Sequence, residues 1–210
     1  MTKIRAIIFD MDGVLIDAKD WHYEALNRAL NLFGFNISRY DHLVTFDGLP
    51  TRKKLEMLSR EQHLPPELHR FLNELKQSYT LETVHAKCKP RFQHEYAMSR
   101  LKADGYKLAV ASNSVRPSVD LMMEKSQLRV YLDAVVSNQD VTKPKPAPDI
   151  YLKAAASMGV KPAECLVLED NPNGIASARA AGCQLMIVHE TNDVTYDRIM
   201  SAIQHPTSRN

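Results

Sequence analysis

Two aspartates separated by one residue, Asp10 and Asp12, stand at the end of a short apolar run and directly before Gly13. Paired carboxylates at a strand tip ask for a cation, and a glycine lets the chain turn sharply around whatever they hold. Oxygen-only ligation of this kind suits magnesium, which takes one or two carboxylates with phosphate and water oxygens rather than a full protein cage. An EF-hand calcium loop is a poor rival, because Val14 and Leu15 occupy the positions that would need an oxygen ligand and a glycine. The plain alternative is that the two acids only cap the turn. A second acidic pair, Glu169 and Asp170, follows the apolar run Cys165 to Leu168 and precedes the turn Asn171-Pro172-Asn173-Gly174. Alone it could merely start a helix. Four carboxylates brought to one edge would repel strongly unless a metal and a lysine neutralised them.

Ser112-Asn113-Ser114 closes another apolar run, and Ser112 and Asn113 offer a hydroxyl and an amide to a phosphate oxygen. Serine and asparagine are also ordinary turn formers. Lys143 and Lys145 lie in Thr142-Lys143-Pro144-Lys145-Pro146-Ala147-Pro148-Asp149, where three prolines fix the backbone and would hold an ammonium group in one direction. An inward lysine would offset phosphate charge against the aspartates, as phosphoryl transfer demands. Either lysine could instead be a solvated surface charge.

These groups converge only if the elements beneath them form a parallel sheet. Apolar runs at Ile4 to Phe9, Lys107 to Ala111, Ala134 to Val136, Cys165 to Leu168 and Leu185 to Val188 read as buried strands. Helical patterns at Phe92 to Asp104, Pro117 to Lys125, Pro148 to Met158 and Ile175 to Ala181 fit between them. The expected core is therefore α/β, a doubly wound, Rossmann-like parallel sheet built from residues 1–17 and 89–210. Residues 18–88 show only helical periodicity, as at Ala25, Leu26, Ala29, Leu30 and Phe33 before Gly34. They predict an inserted all-helical domain of about three or four helices. Leaving the core after strand one, it is expected to act as a lid at the strands' carboxyl ends and to exclude water when closed. His205 to Asn210 read as a frayed tail.

With 44% apolar and 25% charged residues, a formal charge of +2 and both signs interspersed, the chain has no basic stripe for nucleic acid. It has no spanning run or signal segment for a membrane. Cys88, Cys165 and Cys183 are odd in number and widely spaced, which fits a reducing cytoplasm. Nothing sets the oligomeric state, and a monomer is the working expectation.

Asp10-Met11-Asp12-Gly13-Val14-Leu15, Ser112-Asn113, Lys145-Pro146-Ala147-Pro148-Asp149 and Leu168-Glu169-Asp170, in that order, resemble the four motifs of the haloacid dehalogenase superfamily. The likeness spans nearly the whole chain and is closest to the phosphatase and β-phosphoglucomutase-like branch, with its helical cap between the first two core strands. It implies that Asp10 attacks phosphorus to form an aspartyl phosphate. Asp12 would protonate the leaving oxygen and later deprotonate water. It also implies magnesium on Asp10, the backbone carbonyl of Asp12, and Asp170, with Glu169 close by. Ser112 and Lys145 would hold the phosphoryl group with help from Asn113. An acid at Asp12 disfavours carbon–halogen cleavage, since a halide leaves without a proton. Rough alignment with the mutases' caps turns His22, Arg52 and Lys76 toward substrate, although such charges are commonly exposed.

The expected function is a magnesium-dependent phosphatase acting on a small phosphorylated metabolite such as a sugar or polyol phosphate. A sugar phosphomutase would share every motif. Two departures weigh against it: Lys87 to Phe92 lacks the Pro-Gly that relatives often place at the second hinge, and Ala18 stands where the mutases tend to have threonine. A phosphorylatable signalling module or a non-catalytic binding module are the alternatives of another class. A receiver would be shorter and uncapped, with its phosphorylated aspartate on a later strand.

Overall fold

Ala6–Phe9 reads Ala-Ile-Ile-Phe, and all four residues are buried. A strand without polar alternation must be covered on both faces, which a parallel sheet flanked by helices provides. The computed structural model describes residues 3–205. Along the chain, β1 (Ala6–Phe9) is followed by α1 (Lys19–Asn31), α2 (Arg39–Asp41), α3 (Thr51–Glu61), α4 (His69–Lys87) and α5 (Phe92–Ala103). There follow β2 (Lys107–Ala111), α6 (Arg116–Lys125), β3 (Ala134–Val136), α7 (Asp149–Ser157), β4 (Cys165–Glu169), α8 (Pro172–Ala180), β5 (Gln184–Ile187) and α9 (Tyr196–Gln204). The chain divides into two compact units, Met1–Asp17 with Lys89–Asn210, and Ala18–Cys88.

In the first unit the sheet runs β3-β2-β1-β4-β5, with every pairing parallel. Ile8, Ala109, Ala111 and Val167 pack against Ile150, Tyr151, Ala154 and Ala155 of α7 and Ala178 of α8 in one buried cluster. Each expected strand forms within two residues of its sequence bounds. Two helices differ from expectation. α8 starts at Pro172 rather than Ile175, because the Asn171 side chain accepts the Asn173 amide as an N-cap and proline suits the first helical position. α9 has no counterpart in the sequence reading, although Tyr196, Ile199, Met200 and Ile203 recur along it at three- and four-residue spacing, with Ile199 buried. The Thr195 side chain caps it by accepting from the Arg198 amide. Residues 206–210 of the expected frayed tail lie outside the described residues.

The second unit is helical throughout. Leu26 and Leu30 of α1, Leu55 and Leu58 of α3 and Leu72 of α4 form its core with Phe46. α4 runs unbroken from His69 to Lys87, with Leu72, Thr80 and Val84 buried along one face. Thr80, polar but fully buried, donates its hydroxyl to the Lys76 carbonyl at 2.9 Å and so leaves no unmet donor there.

His42, in a π-helical turn over His42–Phe46, is buried beside the Tyr23 ring, with centroids 4.8 Å apart. Burial, with nearby Lys54 adding to it, lowers its pKa to about 4, while Asp47 and Asp20 oppose the shift. Folding therefore excludes a proton that the unfolded chain takes up near pH 6.5, so stability should fall as pH drops from 6.5 toward 4. Between pH 7.5 and 5 this one group should remove about 2 kcal/mol of unfolding free energy. Urea denaturation of wild type and His42→Gln at both pH values checks this, the variant losing less by about that amount. Equal losses in the two proteins would refute it.

Candidate active site

Phe9 stands in register with Val110 of β2 and Leu168 of β4, which puts Asp10, Ala111 and Glu169 side by side one step beyond. The Asp10 amide donates to the Leu168 carbonyl at 2.9 Å, fixing that step. Strand order reverses between β1 and β4, and ligands of open α/β sheets bind outside the carboxyl ends at such a switch point. After Asp10 the chain folds into a tight turn. Gly13 takes φ 90°, a conformation strained for any residue with a side chain, its amide donates to the Ile16 carbonyl at 2.7 Å, and the Ile16 amide donates to Met11 at 2.9 Å. Met11, Val14 and Leu15 are buried beneath it, so the backbone carrying Asp12 is anchored on both sides.

Of the two candidate lysines, Lys143 is exposed and Lys145 is buried. The Lys145 ammonium donates to Asp10 Oδ1 and to Glu169 Oε1, both at 2.6 Å, with side chains 4%, 10% and 1% exposed respectively. Glu169 is fully engaged. Its Oε1 also accepts from the Tyr151 hydroxyl at 2.7 Å, and its Oε2 accepts the amides of Asp170 at 2.9 Å and Asn171 at 3.1 Å. A Cβ on Gly174 would lie 1.6 Å from Glu169 Oε1, so only glycine leaves room for this carboxylate. Lys145 also lies 4.8 Å from the centre of the Tyr151 ring, a cation–π contact in a buried setting.

Asn113 faces Lys145 rather than open space. Its Oδ1 accepts the Lys145 amide at 3.0 Å and its Nδ2 donates to the Lys145 carbonyl at 3.4 Å, a two-point hold on the loop that aims the ammonium. Ser112 Oγ accepts the Ser114 amide at 3.0 Å, which leaves its hydroxyl proton available to a phosphate oxygen. Ser114 Oγ donates to Asp12 Oδ2 at 2.8 Å.

Burial raises the Asp10 carboxyl well above the usual carboxylate range. Lys145 opposes the shift, while Glu169, Asp170 and Asp12 reinforce it. Burial alone would lower Lys145, but its contacts with Asp10 and Glu169 outweigh this and raise it. Tyr151 is raised well above its ordinary value by burial and by the neighbouring Glu169 charge, so it is a neutral donor. Ligand oxygens of Asp10, Glu169 and Asp170 lie within 4.8 Å of one another, the donor chemistry of a hard divalent cation.

The other sequence candidates lie in the helical unit. Lys76 Nζ donates to His22 Nδ1 at 3.2 Å, so these two meet. Arg52 is paired with Glu56 one turn on at 3.0 Å, with its side chain 88% exposed, the arrangement of a solvated helix face. Sequence reasoning missed Tyr151, Gly174 and Ser114. Ser114 shares a turn with Ser112 and could have been taken with it. Tyr151 had only its place on the helix that follows the Lys145 loop, and Gly174 shows its role only once Glu169 has a position.

Fold and site together define an α/β protein with an acidic, lysine-bridged centre at the switch point of its sheet. Residues 7–188 match the haloacid dehalogenase-like hydrolase family, and the chain belongs to it. Members of this family generally use a divalent metal. Over 185 residues it is 32% identical to a fructose-1-phosphate phosphatase of Escherichia coli, covering 86% of this chain and 94% of the relative. Over 195 residues it is 29% identical to a phosphorylated carbohydrates phosphatase of Thermotoga maritima, covering 90% and 88%. A crystal structure of β-phosphoglucomutase from Clostridium difficile superposes with a TM-score of 0.84 at 20% identity, covering 96% of this chain and 97% of that one. This last likeness is one of fold. Among the described residues no helix is long and apolar enough to cross a membrane.

Proposed function

We propose that this protein is a magnesium-dependent phosphatase that hydrolyses a small phosphorylated metabolite, a sugar or polyol phosphate, through an aspartyl phosphate on Asp10. The observation that carries the reading is Lys145 bridging Asp10 and Glu169 at the carboxyl edge of the sheet, a buried cation that meets Asp10 through Oδ1. The phosphatase names of the Escherichia coli and Thermotoga maritima relatives support a phosphorylated carbohydrate as substrate.

In the first step Asp10 attacks phosphorus, the bond from phosphorus to the substrate oxygen breaks, and Asp12 gives that oxygen a proton. In the second, Asp12 takes a proton from water as the water attacks phosphorus, and the bond to Asp10 breaks to release inorganic phosphate. Such proton transfers contribute roughly 10² to 10⁴ in rate. Ser112 and Lys145 hold the phosphoryl oxygens, and Asn113 keeps Lys145 aimed. Asp10, the Asp12 carbonyl and Asp170 would hold the magnesium, with Glu169 beside them as the partner of Lys145. Bound there, the cation supplies charge neutralisation of the phosphoryl group. Residues 18–88 would serve as the substrate-selecting cap, with the His22–Lys76 pair a better candidate for that choice than Arg52. A reducing, cytoplasmic setting fits Cys88, Cys165 and Cys183, which are buried thiols outside any disulfide.

The purified protein should release nitrophenol from p-nitrophenyl phosphate with magnesium and fall to background with a chelator. Sugar phosphates should yield one inorganic phosphate per substrate lost. No magnesium-dependent release would sink the enzyme reading, and phosphate returned to another position of the sugar would convert it to a mutase.

A further inference from the structure

Asp12 has to carry a proton toward one oxygen and take another from water, so the direction of its carboxylate matters as much as its presence. Two fixed pieces of backbone meet at that carboxylate. On one side, the turn from Met11 to Ile16 anchors Asp12 through a β-bridge with Ile16 and the buried Met11, Val14 and Leu15. On the other, Ser114 is held at both ends of its peptide. Its amide donates to Ser112 Oγ at 3.0 Å, and its carbonyl accepts the Asn138 amide at 3.2 Å. The Ser114 hydroxyl then spans 102 positions of sequence to donate to Asp12 Oδ2 at 2.8 Å. A serine needed only for its turn would have no reason to reach another strand's tip.

Building on the phosphatase reading above, we infer that Ser114 is a positioning residue for the acid and base Asp12. By holding Oδ2 it fixes the carboxylate's rotation, and with it the direction in which a proton travels to the leaving oxygen. A carboxylate free to swing would spend much of its time misdirected, and loss of alignment alone slows a reaction severely. The hydroxyl can accept as well as donate, so the same contact persists in both protonation states of Asp12. Ser114 touches neither substrate nor phosphorus in this scheme.

The contact should matter only where the leaving group needs a proton. We therefore compare kcat/KM, which covers steps up to departure of the leaving group, for p-nitrophenyl phosphate and phenyl phosphate with saturating magnesium. Nitrophenoxide leaves readily without a proton, whereas phenoxide is a stronger base and gains from one. Ser114→Ala should lose about tenfold on phenyl phosphate, a part of the acid contribution of roughly 10² to 10⁴, and less than about twofold on p-nitrophenyl phosphate. Ser114→Thr, which keeps the hydroxyl, should restore phenyl phosphate turnover to within about threefold of wild type. If Ser114→Ala is insoluble, Ser114→Cys gives the same comparison. Equal losses on both substrates would mean a merely structural serine, and no loss on either would mean an idle contact; both overturn the inference. Asp12→Asn measured alongside separates the two layers. If it too fails to discriminate between the substrates, the assignment of Asp12 as the acid falls and takes this inference with it. If it discriminates and Ser114→Ala does not, only Ser114 is misassigned.

Discussion

Asn in place of Asp10 should cut phosphomonoester turnover by about 10⁴-fold or more while leaving the folded state as stable as wild type, or more so. The activity loss follows because an amide oxygen cannot take the phosphoryl group and release it as a carboxylate does. The stability claim rests on crowding. Asp10 is 7% exposed, its carboxylate oxygens approach those of Glu169 and Asp170, and one ammonium group serves both it and Glu169. Removing one negative charge leaves Lys145 its contact with Glu169 and relieves repulsion among the acids that remain. Steady-state assays paired with urea denaturation in chelator check both halves. Near wild-type turnover would show that the nucleophile lies elsewhere. A loss of stability above about 3 kcal/mol would show that Asp10 is chiefly a structural partner of the lysine.

That separation between chemistry and stability explains what could be read from the chain and what could not. The strands were legible because full burial on both faces leaves unbroken runs such as Ile7-Ile8-Phe9 and Cys165-Leu166-Val167-Leu168, a pattern that needs no knowledge of neighbours. The chemical groups were legible because they sit at the ends of those runs. Partnerships were not. Nothing local distinguishes Glu169, the carboxylate bound by Tyr151 and by backbone amides, from Asp170, the next residue, which the proposed function makes a ligand of the cation. The sequence offers Asn113 as a phosphate ligand but does not show that its side chain also holds the Lys145 loop, 32 positions away. α9 was legible but went unread: Tyr196, Ile199, Met200 and Ile203 repeat at helical spacing, and only its position against α5 is a tertiary fact.

Lys145→Met should do what Asp10→Asn does not, and damage fold and chemistry together. Methionine nearly matches the lysine stem in length and flexibility, so little cavity opens and the change is mainly one of charge. Asp10 Oδ1 and Glu169 Oε1 each lose a donor at 2.6 Å, and Glu169 is 1% exposed, so water cannot take the donor's place. Breaking a buried ion pair from one side typically removes about 3–5 kcal/mol. The unfolding free energy in chelator should drop by that amount, and turnover with magnesium should drop roughly 10² to 10³-fold as the phosphoryl group loses a fixed positive charge. Magnesium tests whether the lysine and the cation answer the same excess of negative charge. With Lys145 gone, the carboxylates of Asp10, Glu169 and Asp170 depend on the ion alone, so adding magnesium should raise the denaturation midpoint of the variant more than that of wild type. A variant that unfolds at the wild-type midpoint in chelator would mean that these acids are neutralised by protons rather than by Lys145. The ion-paired centre from which Asp10 draws its role would then be wrong.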